Sequence, residues 1–221
     1  MANMRLAVIC VFLFMTSLPA WGANPELPDI NLPAPRVTGG KPIMEALGDR
    51  QSTRDFSAKK LSPQVMSDLL WAAFGINRLD SGKRTAPSTR NWQETDLYVI
   101  LEEGIYLYQP AENRLKNIAK GDQRKLAGSQ GFVAAAPLNL VYVSDTSKMG
   151  KISQDDKMLY AGADTGFISQ NVYLFCASEG LSTVVRAFVN RPDLAVALKL
   201  PEHKIITLAQ TVGYPSRTLS R

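Results

Sequence analysis

The stretch from Ser153 to Glu179 constrains the fold more than any other part of the chain. Leu159, Ala163, Phe167, Gln170, Leu174 and Ala177 recur along it at helical spacing, and Gly180 stops the run. Asp155 and Asp156 stand near its start, where acidic side chains meet the positive end of a helix dipole. One long helix is therefore expected, and the other elements must be arranged around it. Before it, "TDLYVILEEGIYLYQPAENRLKNI" reads as a strand, a turn at Glu103-Gly104, a second strand and a return through Asn113. "LNLVYVSD" is apolar enough for a central strand. After the helix come "LSTVVRAF" as a short strand or turn, "RPDLAVALKL" as a helix begun by Pro192, and "HKIITLAQTVGY" as the last strand.

Upstream, "KPIMEALGDR" is a short helix, with Pro42 suited to its first turn and Gly48 near its end. "LSPQVMSDLLWAAFGI" is a clearer one: Ser62 caps it, and Val65, Leu69, Leu70, Ala73 and Phe74 form an apolar stripe. "NRLDSGKRTAPSTRNWQ" reads as a long polar loop, a type that is often functional in compact domains. "DQRKLAGSQGFVAAAP" is expected to be helical up to Pro137. Strands and helices mix without regular βαβ alternation, so the class is α+β.

Residues 1–22 are expected to be an export signal. Arg5 is followed by an apolar run from Leu6 to about Leu18, then Pro19 and the small residues Ala20 and Gly22, with cleavage after Gly22. The run falls short of the roughly 20 residues a spanning helix needs, so no stable membrane insertion is expected. Export would deliver a bacterial protein to the periplasm. Residues 23–40, crowded with proline and glycine, read as an extended arm, and residues 41–221 as one folded domain. A composition of 45% apolar and 20% charged residues is that of a globular protein. The net charge of +5 comes from scattered basic residues, a pattern that favours small anionic ligands as readily as nucleic acid. Charge alone makes no nucleic-acid binder of this chain.

Several chemistries are excluded by what is missing. Removing the signal leaves Cys176 as the one cysteine, in an apolar helical setting, so no intrachain disulfide can form. His203 is the only histidine, and it sits in a turn before a strand. Zinc and iron sites of the usual ligand types therefore lack their donors, and no metal site is expected. No G-x-S-x-G elbow accompanies His203, Gly75 to Lys83 does not keep P-loop spacing, and no G-x-G-x-x-G occurs. Glu102-Glu103 and Asp155-Asp156 are close carboxylates at a hairpin turn and a helix start, where structural roles suffice.

Polar uncharged and cationic residues concentrate instead in "RQSTR" (50–54), "KRTAPSTRNWQ" (83–93), the helix bearing Gln170 and Asn171, "TVVRAF" (183–188) and the tail "GYPSRTLSR" (213–221). On the R-x-S-x-R-x-F opening, "LSPQVMSDLLWAAFGINR", "APSTRNWQ", "ADTGFISQNVYLFCASEGLST" and a closing "VGYP", the chain resembles the nitroreductase family of flavin mononucleotide (FMN) proteins, nearest its SagB-like branch. The resemblance spans about residues 40 to 215.

It implies a central, mainly antiparallel sheet flanked by helices, a long central helix, and an interlocked homodimer with FMN held across the interface. Arg50 and Ser52 would bind the ribityl phosphate, Arg54 would lie toward the ring, and Gln51 would add a contact. An Arg fork suits phosphate oxygens, and a cation near the ring favours the reduced anion. Pro87, Ser88 and Asn91 would reach the partner subunit's FMN, and Gln170 would meet the ribityl chain. Val185, Arg186 and Ala187 fill the turn whose backbone donates toward flavin N5, where Arg186 departs from the acidic or glycine residues of many members. Arg217, with Arg221, would complete the phosphate site.

The implied activity is ping-pong hydride transfer through N5, to or from a small nitro, quinone or dehydrogenation substrate, with no catalytic side chain. The electron donor is open, because an exported protein would find no nicotinamide nucleotide pool. The competing reading is a catalytically silent FMN-binding protein that keeps the fold.

Overall fold

The computed structural model describes residues 27–216, so the expected signal, Arg217 and Arg221 lie outside the described residues. The strands are β1 (Ile30–Asn31), β2 (Ile76–Arg78), β3 (Lys83–Arg84), β4 (Thr95–Ile100), β5 (Gly104–Gln109), β6 (Arg114–Lys120), β7 (Leu138–Asp145), β8 (Ser182–Arg186) and β9 (Lys204–Gly213). The helices are α1 (Ile43–Asp49), α2 (Pro63–Phe74), α3 (Gly131–Ala135), α4 (Gln154–Glu179) and α5 (Arg191–Ala197). Seven strands form one antiparallel sheet in the order β1-β6-β5-β4-β7-β9-β8, and β2 and β3 make a separate hairpin.

β4, β5 and β6 are a meander, with Asn113 in the left-handed region at the second turn. The arm supplies β1, which pairs with β6 and covers that sheet edge. β7 lies between β4 and β9 and is buried along its whole length, which is why its sequence shows no polar alternation.

The sheet is packed on both faces. On one, Leu69 and Leu70 of α2 and Ile168, Val172 and Cys176 of α4 meet Val99, Leu140, Tyr142 and Val212. On the other, Val133 of α3 and Leu194 of α5 meet Ile100, Ile105, Val141 and Val143. α4 has 26 residues and so runs for about 39 Å across the domain. Ser153 caps its start by accepting the Asp156 N–H at 3.0 Å, and Gly180 ends it at φ 69°.

Three details differ from the sequence reading. The stripe Leu159, Ala163, Phe167 and Gln170 faces outward, with Leu159 64% and Phe167 48% exposed. The face of α4 turned to the sheet carries Ala161, Asp164, Thr165, Ile168, Ser169, Val172, Tyr173 and Cys176 instead. The segment 123–136 is not one helix but a 3-10 turn, Arg124–Ala127, followed by α3. Gly128 makes the break, because the Arg186 guanidinium packs so tightly on it that a Cβ would come within 2.1 Å of Nη1. Finally, the polar loop after α2 folds part of itself into the β2–β3 hairpin, turning at Gly82 with φ 63°.

Candidate functional site

The "RQSTR" segment is bonded along the free edge of β8. Thr53 N–H donates to Thr183 O at 2.9 Å, and Thr183 N–H donates to Thr53 Oγ1 at 3.1 Å. Ser57 N–H then donates to Tyr214 O at 2.8 Å, so the chain runs from β8 to the end of β9. Tyr173 of α4 fixes the same region from behind. Its hydroxyl accepts Val185 N–H at 2.9 Å, lies 2.8 Å from Ser52 Oγ, and its ring carries the Arg50 guanidinium at 5.4 Å.

These contacts wall a cleft of about 700 Å³, which is the size range of ligand pockets. Arg50, Gln51 and Thr53 line it beside Ser182 and Thr183, together with Tyr173, Cys176 and Ala177 of α4 and Tyr214 to Ser216. Lys41 and Lys59 stand at its margin. Lys41 is paired with Asp49 at 2.6 Å, and the Lys59 ammonium lies 4.4 Å over the Tyr214 ring. Burial pushes the Cys176 thiol far above the ordinary thiol range, so it is a packing residue and no nucleophile. Tyr173→Phe would remove the group shared by Ser52 and Val185. A loss of about 1–3 kcal/mol is expected in urea unfolding, and unchanged stability would show that the bridge holds nothing in place.

The other residues named from sequence are placed as follows. Arg54 is exposed. Pro87, Ser88 and Asn91 are not in this cleft. Their loop is held nearer the middle of α4, where Asp164 accepts Thr89 N–H at 2.8 Å, nine residues or about 14 Å of helix axis before Tyr173. Ser88 Oγ accepts Gln93 N–H at 3.0 Å, and Arg90, Asn91 and Gln93 all adopt positive φ, a concentration of strained backbone. Trp92 packs edge-on against Tyr160 at 5.8 Å. Gln170 lies on the exposed stripe of α4 rather than in the cleft.

Val185 and Arg186 lie at the end of β8. Val185 N–H is taken by Tyr173, and the Arg186 side chain, only 7% exposed, turns to the opposite face of the sheet. There its guanidinium donates to Ala127 O at 2.6 Å, Thr211 Oγ1 at 2.7 Å and Asn139 Oδ1 at 3.1 Å, under the Phe132 ring. Among the described residues no carboxylate is paired with it, and its Nε has no hydrogen-bond partner. Burial lowers its pKa to about 10, which leaves it charged at neutral pH.

Tyr173 and the buried carboxyls Asp164 and Glu94 were not singled out from the sequence. Asp164 had a signal: an acid in the middle of a long helix, four residues before Ile168. Tyr173 had only its helical offset from Gln170.

Comparison with known proteins agrees with this arrangement. The nitroreductase family model matches residues 47–214, from the end of α1 to just past β9, and so takes in the cleft residues from Gly48 to Tyr214. A nitroreductase-family protein of Methanocaldococcus jannaschii is 29% identical over 177 residues, 75% of this chain and 88% of its own. A crystal structure of a nitroreductase-family protein from Ralstonia eutropha superposes with a TM-score of 0.81 at 40% identity, covering 86% of this chain and 90% of that one. The NADPH:FMN oxidoreductase of Vibrio harveyi shares the fold at 19% identity, with a TM-score of 0.60 over 81% of this chain and 71% of its own. With its antiparallel sheet, its long helix and the 50–54 segment laid along β8, the chain belongs to the nitroreductase family of enzymes.

Proposed function

We propose that the cleft between the 50–54 segment, Tyr173 and β8 holds FMN, and that the protein is an FMN-dependent oxidoreductase acting on a small organic substrate. The family typically binds FMN and is usually dimeric. The observation that carries the reading is the reciprocal bonding of Thr53 and Thr183, which presents Arg50 to a cleft lined by hydroxyl-bearing residues.

Those residues fit the group. FMN needs a cation and hydroxyl donors for its phosphate and ribityl chain, and a strand edge for its ring. Arg50 supplies a guanidinium with no carboxylate paired to it among the described residues, and Thr53, Ser57 and Ser182 supply hydroxyls. When bound, FMN supplies the two-electron chemistry. The chain's part is to hold and orient it. Arg50 would hold the phosphate, while Ser52 and Tyr173 keep the β8 edge at a fixed distance.

The exposed apolar residues Leu159 and Phe167 on α4, with Ile43, Met44 and Leu47 on the neighbouring α1, suit a second copy of the chain. In that homodimer, Pro87, Ser88 and Asn91 of each chain serve the other's cleft. The finer placement in the SagB-like branch, the export signal and a donor other than NAD(P)H go with this reading and rest on the sequence motifs alone. Among the described residues no helix is long and apolar enough to cross a membrane.

The test is a reduction cycle on FMN-loaded protein: bleaching of bound flavin by a donor, then recovery with a quinone or a nitroarene. Recovery at a steady rate is expected. Flavin that is held but never bleaches would make the protein a silent binder. Arg50→Ala should weaken FMN binding by about 100-fold, the size of a lost charge-assisted pair of bonds. Its melting temperature should stay near that of the wild type, because the residue is only half-buried. Unchanged affinity would remove Arg50 from the site.

A further inference from the structure

Two carboxyls meet in the interior between the 83–93 loop and α4. Glu94 and Asp164 are each 0% exposed, and they lie close enough for each carboxyl to feel the other's charge. Both Asp164 oxygens are occupied by one residue of the loop: Oδ2 accepts Thr89 N–H at 2.8 Å and Oδ1 accepts the Thr89 hydroxyl at 3.1 Å. Glu94 Oε1 accepts the Thr95 hydroxyl at 3.2 Å, while Oε2 has no donor among the described residues. Two carboxylate anions this close in a dry interior repel each other strongly. One proton removes the conflict, because a protonated Glu94 donates to Asp164 and the orphaned oxygen gains a role.

The surroundings offer no other remedy. From α4 come Asp164 itself and Tyr160, whose ring meets Trp92. From the end of β7, Asp145 N–H donates to Glu94 O at 2.9 Å, and from the turn after it the Lys148 ammonium donates to Gln93 O at 3.3 Å. From β9, Lys204 is paired with Asp96 at 2.6 Å. Within the loop, Arg84 donates to Gln93 Oε1 at 2.8 Å and Arg90 lies over the Trp92 ring. Among the described residues no Lys, Arg or His is ion-paired with either carboxyl.

We propose that Glu94 and Asp164 share one proton and are the positioning residues that seat the 83–93 loop on α4, so that loss of this proton frees the loop. Burial, and after it the charge of Asp164, raises Glu94 to about 7, which puts the transition near neutrality. On deprotonation the proton passes to bulk water and the pair goes from one negative charge to two. Thr89 and Glu94 bracket the part of the loop that contains all three strained residues, so parting the carboxyls unseats that segment. The consequence for flavin rests on the function proposed above, since Pro87, Ser88 and Asn91 lie on or beside this segment; the latch itself does not.

Amide hydrogen exchange across residues 83–93 at pH 6 and pH 8.5, corrected for intrinsic rates, tests the latch in the full chain. Protection should fall about tenfold or more in the wild type and stay level in Glu94→Gln, whose amide donates like the acid but has no proton to lose. Infrared spectra of the wild type give a second readout that needs no variant. The carbonyl stretch of a neutral, water-shielded carboxylic acid should be present at pH 6 and absent at pH 8.5. Equal loop protection at both pH values, or no such band at pH 6, overturns the proposal. FMN affinity measured in parallel should weaken about tenfold over the same range in the wild type alone. A flat affinity with an opening loop supports the latch and overturns its link to the flavin, whereas absence of FMN binding at every pH contradicts the functional reading and leaves the exchange test in force.

Discussion

Arg186→Ala is expected to destabilise the fold by about 3–4 kcal/mol, the range for a large side chain removed from a core together with its hydrogen bonds. The guanidinium bonds the 3-10 turn at Ala127, β7 at Asn139 and β9 at Thr211, and through its own backbone it belongs to β8. No other single side chain described above ties so many separate elements together. Alanine would leave Ala127 O without its donor, empty the space beneath Phe132, and loosen the β8 edge on which the cleft is built. Thr211 and Asn139 would be spared, because the Thr211 hydroxyl already donates to Asn139 Oδ1 at 2.6 Å. Arg186→Met should cost clearly less, since it restores the packing and removes a buried cation that has no carboxylate partner among the described residues. Urea unfolding of both variants measures this. A loss under 1 kcal/mol for alanine would show that the cation is tolerated rather than needed.

The second large effect is on the pH dependence of stability. Glu94 has an ordinary pKa of 4.5 and is raised to about 7 in the folded chain. Between these values the folded state holds a proton that the unfolded state has lost, so stability falls as pH rises through this window and levels off above it. The contribution is on the order of 3 kcal/mol, fully present below pH 4.5 and gone above pH 7. Glu103, Asp122 and Asp145 are shifted the other way, and their contributions are lost only as pH falls through the usual carboxylate range or below it. The windows therefore separate. Glu94→Gln is neutral in both states and should flatten the curve between pH 4.5 and 7 while leaving the acid limb intact. A wild-type curve that is flat or rising across that window would contradict the shared proton.

Much of this architecture is legible from local patterns. Ser62 and Ser153 cap helices as their types require, Gly180 ends α4, and the unbroken apolar run of β7 marks a strand covered on both faces. The misreadings arise where tertiary contacts decide. The outward stripe of α4 has the same helical spacing as a buried one, and the face turned to the sheet is marked by Asp164, Thr165 and Ser169, polar residues. Asp164 and Thr165 are satisfied by Thr89 and Thr207, which no local window contains. The break at Gly128 comes from Arg186, which lies 58 residues further along the chain. At the site, "RQSTR" announces itself by composition, whereas Tyr173 reads as one more aromatic in an apolar helix. The face taken by Arg186 depends on the register of β8 against β9, so its burial under the sheet could not be read from "TVVRAF".

In the proposed complex one FMN sits in the cleft formed by the 50–54 segment, Tyr173 and β8. The most direct measurement is the visible absorbance spectrum of the protein after FMN is added and the sample desalted, for the wild type and Arg50→Ala side by side. A shifted flavin spectrum is expected, retained at about one per chain by the wild type and lost from the variant. A wild-type protein that is folded by circular dichroism yet comes off the column colourless would contradict it.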